Sequence, residues 1–180
     1  MPFDPFATLG LGRDYDIDRA HLQRAYLTKA AKWHPDRFAD PVRRSEAEQR
    51  SAEINRARVV LEDDEQRAEA LLTFFGGPGK SDDKSLPDDF LMDILEVRQE
   101  LEEAVHSGDA QGKQRVEQWA EQQRAAYRQR VGELFHSIGN PPDAHALRGI
   151  RLELNAWRYI ERLIEQLDTA GSPTESGQGR

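Results

Sequence analysis

The chain contains no cysteine. That excludes disulfides, thiolate zinc sites and thiolate-held iron–sulfur clusters on this chain, so any metal cluster in its biology sits on a partner. Long apolar runs are missing too. The longest, such as Ala70 to Phe75, fall far short of the ~20 residues that a membrane span needs. The opening Met1-Pro2-Phe3-Asp4 lacks the basic and apolar regions of a secretory leader, and a cytoplasmic location is the expectation. Positive charge is in deficit. The net charge is −8, of which residues 1–76 carry −2 and the remainder −6. Phosphate-binding surfaces need local positive excess, so neither nucleic acid nor membrane is an expected partner. No segment alternates apolar and polar residues with β-branched enrichment, which predicts essentially no sheet.

What remains is helix signal. Asp18 caps a segment in which Leu22, Tyr26, Lys29, Ala30 and Trp33 fall near one stripe, and Pro35 stops it, because a residue before proline is pushed out of the α region. A second long helix is predicted over about Val42–Leu61 with Ala47, Ile54, Ala57 and Leu61 facing inward. Short helices at about Pro5–Leu9 and Glu65–Phe74 flank the pair. Gly76-Gly77-Pro78-Gly79-Lys80-Ser81, continuing to Pro87, reads as a linker with solvated charges. Beyond it Asp88 is a candidate cap for a helix to about His106, and Asp109 for one to about Ile138. Asn140 is a candidate cap, with Pro141 in the first turn, for a last helix over about Pro142–Thr169. Three helices with short connections make an antiparallel bundle. The expected architecture is all-α: a helical hairpin domain over 1–76, a linker over 77–87, a three-helix bundle over 88–170 and a disordered tail over 171–180.

The loop between the first two long helices is His34-Pro35-Asp36. Pro35 stiffens it, Asp36 offers a carboxylate to an arginine on a partner, and His34 can donate or accept within the loop. Arg24, Lys29 and Lys32 on the preceding helix form a modest basic face that would steer encounter with an acidic surface. With these parts in order, residues 1–76 resemble a J domain. Phe6-Ala7-Thr8-Leu9-Gly10-Leu11 is similar to that family's opening, His34-Pro35-Asp36-Arg37-Phe38 to its loop, and Ile54 through Leu61 to its third helix. The resemblance implies docking on a DnaK-type chaperone and stimulation of its ATPase. Arg58 stands where the family usually has an aromatic residue, which predicts weaker packing of the third helix.

The segment Phe90 to Leu101 carries more apolar residues than one face can use. Phe90, Ile94, Val97, Leu101 and Val105 form a core stripe, while Leu91, Met92 and Leu95 form a second stripe with no core duty. Such an exposed cluster marks a partner surface, and methionine suits an adaptable contact. This segment, and the layout of J domain, linker and acidic bundle, is similar to the HscB (Jac-type) family of iron–sulfur co-chaperones. Arg67 through Leu72 adds to the likeness. The resemblance implies a second domain that binds an IscU-type scaffold through Leu91, Met92, Leu95, Glu96, Arg98 and Gln99, with Tyr159 of the last helix beside Leu95. Gln99 replaces a common glutamate, and Asp64 replaces a common proline. With no cysteine module ahead of the J domain, the layout resembles the bacterial form.

The expected role is therefore an adaptor that brings an IscU-type scaffold to a DnaK- or HscA-type chaperone, with no resident cofactor or metal. A J-domain co-chaperone with a different client is the alternative. An enzyme using His34 and Asp36 as an acid–base pair is a third class, weakened by an exposed turn with no nucleophile to complete a site. His21, His106, His136 and His145 are scattered without ligand spacing. Trp119 and Trp157 are predicted in the bundle core, and Trp33 between the two long hairpin helices.

Overall fold

A computed structural model describes residues 3–171, all of whose regular structure is helical. Seven α-helices follow in order: α1 Pro5–Leu9, α2 Arg19–Lys32, α3 Pro41–Glu62, α4 Asp64–Phe74, α5 Phe90–Ser107, α6 Ala110–Ser137 and α7 Ala144–Gly171, with a 3-10 turn at Pro35–Arg37. The tail expected over 171–180 lies outside the described residues apart from Gly171, which ends α7.

Local capping sets most of these boundaries. Asp4, Asp18, Asp40, Asp63 and Asp109 each accept a backbone N–H from the first turn of the following helix. Two expected starts move. The side chain of Asp88 does not cap α5. Asp89, held at φ 63°, precedes Phe90, and the ring of Phe90 is anchored edge-on against Tyr127 and Tyr159. Nor does Asn140 cap α7. Two successive prolines keep Asn140 and Pro141 out of the α region, so the helix waits for Asp143, whose Oδ2 accepts from the backbone N–H of His145 at 3.2 Å and Ala146 at 3.3 Å.

The hairpin of α2 and α3 packs with α1. The long α6 and α7 lie side by side, with α5 against both. Helix α4 joins the halves by leaning on α7 and α6. One continuous buried apolar cluster results, running from Phe6 and Leu9 through Leu61, Leu71 and Leu72 to Val131, Ile150, Leu154, Trp157 and Leu163. Each such side chain contributes about 1.5–3 kcal/mol on burial. Tyr15 crosses from the N-terminal half and stacks on Phe135 at 5.7 Å, with its ring over Gly132. A Cβ at Gly132 would sit 3.2 Å from that ring, so the bare backbone there permits the close approach. At the far end of the bundle Ala104, not Val105, takes the core position. Gly112 lets α5 and α6 meet there, and Val105 is left exposed.

The segment between the halves is not a free linker. Arg151 of α7 is 1% exposed, and its guanidinium is bidentate to Glu69 of α4 at 2.8 and 2.6 Å. Its Nε donates to the Pro78 carbonyl at 3.0 Å. Asn155, one turn on, donates to the carbonyls of Asp83 and Ser85 at 3.0 Å each. The segment is thereby strapped along α7, and its charges are partly engaged rather than merely solvated. Lys80 reaches Glu69 at 3.3 Å and Glu65 at 3.6 Å, and Asp82 accepts from the Gly79 N–H. Removing one partner of a buried ion pair leaves the other uncompensated. We expect Arg151→Ala to lower stability by about 3–5 kcal/mol, whereas the Arg151→Met, Glu69→Leu pair together costs much less. Urea unfolding midpoints of the two variants provide the check.

Candidate functional site

The first candidate is the corner after α2. His34 is the cap of the 3-10 turn. Its Nδ1 accepts from the Asp36 N–H at 3.4 Å, and Arg37 and Phe38 donate to the carbonyls of His34 and Pro35 at 3.1 and 3.0 Å. The same Nδ1 lies 3.6 Å from the Asp36 carboxylate, so the imidazole sits against the turn with its rim in water. The corner is braced from both sides. Arg37 donates back to the Ala31 carbonyl of α2 at 2.9 Å, and Arg44 of α3 donates to the Phe38 carbonyl at 3.2 Å. Trp33 stacks on Phe38 at 6.2 Å, with the Arg50 guanidinium over Trp33 and that of Arg43 over Phe38. Trp33 thus joins the two hairpin helices, as expected. The side chains left outward are His34, 60% exposed, and Asp36, 89% exposed.

These exposures weigh against acid–base catalysis by this pair. A carboxylate and an imidazole on an exposed turn have no pocket around them to hold a substrate. A stiff turn presenting one carboxylate is suited instead to a charge-assisted contact with another protein.

The basic face divides on inspection. Arg24 is exposed, with only a 3.8 Å pair to Asp18, and Lys32 is exposed. Lys29 is half-buried, its end 3.6 Å from the position a Cβ would take on Gly10, just past the C-terminus of α1. The carbonyl end of that helix attracts a cation, so Lys29 serves the fold at least as much as the surface. Arg58 also corrects the expectation of weaker packing. Its guanidinium lies 4.7 Å from the Tyr26 ring centre while pairing with Glu62 at 2.7 Å, so a cation–π contact spans α2 and α3. Asp64, first residue of α4, hydrogen-bonds Arg67 and faces Arg128 of α6 at 3.6 Å, a charge link that a proline would lack.

The second candidate is the outer side of α5. Leu91, Met92 and Leu95 are 53%, 64% and 65% exposed, side by side on a helix whose core face already holds Phe90, Ile94, Leu101 and Ala104. Glu96 is exposed among them. Arg98 is half-buried, and its Nε is shielded from water without a hydrogen-bond acceptor. Gln99 donates to Glu103 one turn on. Tyr159 of α7 packs edge-on against Phe90 at 5.7 Å. That contact ties Tyr159 to the first residue of α5. Glu100 at the opposite edge of α5 pairs with Arg115 of α6 at 2.9 Å. The edge bearing Leu91, Leu95 and Arg98 therefore turns toward α7.

Sequence reasoning missed Arg151, Glu69 and the His136–Asp16 pair at 3.0 Å, which also joins the halves. For Arg151 a signal existed: a charge set among Leu147, Ile150 and Leu154 on the stripe of α7 that faces the core. Among the described residues no cluster of His, Cys, Asp and Glu has the geometry to hold a metal, and no helix is long and apolar enough to cross a membrane.

Comparison with known proteins adds to this geometry. The DnaJ domain family matches residues 4–70, and the HSCB C-terminal oligomerisation domain family matches residues 86–168. The co-chaperone protein HscB homolog of Vibrio vulnificus is 35% identical over 109 residues, 59% of this chain and 64% of that protein. The aligned part of the chain thus spans slightly under two thirds of that relative. The homolog of Aeromonas hydrophila is 26% identical over 166 residues, 91% of this chain and 93% of its own. Among solved structures, chaperone HscB from Vibrio cholerae matches with TM-score 0.76 over 92% of this chain and 96% of its own. Human co-chaperone protein HscB matches with TM-score 0.79 over 92% and 81%. Both are 22% identical to this chain and attest the fold.

Because the Asp36 side chain stands almost wholly in water and the corner is braced by other residues, Asp36→Asn should leave stability within about 0.5 kcal/mol of the parent. Trp33→Ala, which removes the brace, should cost about 2 kcal/mol or more. Thermal unfolding of both variants tests the contrast.

Proposed function

This chain belongs to the HscB family of J-domain co-chaperones, and from that premise we propose that it delivers an IscU-type iron–sulfur scaffold protein to a DnaK- or HscA-type chaperone and stimulates that chaperone's ATPase. The observation that carries the reading is the braced corner: His34-Pro35-Asp36 projects one exposed carboxylate from a turn with little entropy left to lose on docking. Asp36 takes an arginine of the chaperone. Pro35 holds the angle, and His34 fixes the backbone of the turn. Arg24 and Lys32 steer the encounter, with Lys29 a lesser contributor.

The client surface is the ridge of Leu91, Met92 and Leu95, flanked by Glu96, Arg98, Gln99 and Tyr159. An apolar ridge left uncovered by its own fold is stabilised when a partner removes it from water. On this reading the chain is an adaptor acting in the cytoplasm, with no reaction of its own, and the cluster chemistry belongs to the client. The units are the hairpin half to about residue 76, the strap, and the bundle from about 88.

Chaperone ATP turnover, measured with and without this chain and an IscU-type scaffold, tests the whole scheme. Stimulation by the chain, raised further by the scaffold, is the expected result. Asp36→Asn should return turnover to the basal rate while scaffold binding persists. Alanine at Leu91, Met92 and Leu95 together should weaken scaffold binding at least ~10-fold and spare stimulation by the chain alone. Full stimulation by Asp36→Asn would refute the corner's role. Normal scaffold affinity in the triple variant, or none in the parent, would shift the client reading to a different protein.

A further inference from the structure

A cleft of about 370 Å³ opens between the strap and α7. Four cations line it: Lys80 and Lys84 from the strap, Arg158 and Arg162 from α7. Tyr159 forms one wall and Glu69 is the carboxylate among its lining residues. On a chain of net charge −8 this is a local reversal of sign. Glu69 is already committed, bidentate to Arg151 and 3.3 Å from Lys80. Arg158 and Lys80 share Glu65 at 3.5 and 3.6 Å. Lys84 and Arg162 have exposed heads, and no ion pair engages either among the described residues. Two of the four cations lining the cleft are thus left over. Just beyond Arg162 the surface turns acidic with Glu161 and Glu165, so the positive potential is confined to the end beside Tyr159.

Position decides what would fill it. Tyr159 touches Phe90, the first residue of α5, and the α5 edge bearing Leu91, Leu95 and Arg98 faces α7. Cleft and ridge therefore form one surface, apolar on one side and cationic on the other. The volume suits one or two side chains rather than a domain. We infer that the cleft seats a carboxylate-bearing segment of the same scaffold client whose apolar side covers Leu91, Met92 and Leu95, an assignment that rests on the scaffold reading above. The ridge supplies affinity by excluding water, and Lys84 and Arg162 set register through charge.

The test is calorimetric titration of an IscU-type scaffold into the full chain at ~0.1 M and ~1 M salt. The parent is compared with Lys84→Ala/Arg162→Ala, with Lys84→Arg/Arg162→Lys and with the triple alanine variant of the ridge. The alanine double variant is expected to bind about 3- to 10-fold more weakly at ~0.1 M salt and like the parent at ~1 M, where charges more than a few ångströms apart are screened. The charge-conserving swap should retain parental affinity. Chaperone stimulation without scaffold and the helical circular dichroism should not change in either. Parental affinity of the alanine double variant at both salts, with binding lost in the ridge variant, would overturn the cleft and leave the scaffold reading standing. A loss equal at both salts would mark a structural role and overturn it as well. No binding by the parent would overturn both readings. A parent that self-associates through Lys84 and Arg162 in sedimentation would show the occupant to be a second copy of the chain and refute the assignment.

Discussion

The arrangement depends on one buried contact, the guanidinium of Arg151 laid flat against the carboxylate of Glu69 with the Pro78 carbonyl on its Nε. It links α7, α4 and the strap in a single hydrogen-bonded unit. A buried ion pair of this kind adds little net stability over an apolar substitute. What it adds is geometry, because the bidentate fork admits one orientation of its partner. Tyr15 on Phe135 and Arg128 near Asp64 repeat the link on other sides of α4. The corner at Asp36 and the ridge on α5 thus belong to one packed body, not to two beads on a string.

That packing bears on how an adaptor can work. A flexible connection would give two binding events only a loosely defined effective concentration. On the proposed reading, a fixed connection would define the direction in which a client is presented to the chaperone, at the cost of tolerance to misfit. Burial also leaves its mark on the charges at the junction. Glu65 is pushed above the ordinary carboxylate range by burial, against the pull of Lys80 and Arg158. Its raised value means that the folded state takes up a proton more readily, so this group's contribution to stability falls as pH rises through that window.

Much of this was legible in the chain. All seven helices follow from capping aspartates, proline stops and apolar stripes, because those effects act within a few residues. The two late starts, at Phe90 and Ala144, were not, since an aromatic anchor in the core and a pair of prolines outweighed the nearest capping side chain. The exposure of Leu91, Met92 and Leu95 was readable because one helix face cannot bury two stripes. Arg58 over Tyr26, Lys29 over Gly10 and the strap on α7 were not readable, because each depends on contacts between elements that no local pattern encodes. The J-domain loop and the roles expected of the α5 ridge came into view as a family resemblance, and the structure adds the bracing of the first and the orientation of the second.

The unbroken apolar interior has a further implication. Since Leu71 and Leu72 of the N-terminal half share their surroundings with residues of the bundle, neither half can melt while its neighbour stays intact without wetting a broad oily face. Heating would then trace one sharp transition without a plateau. A protease that nicked the strap would yield two pieces that stay together until denaturant is added.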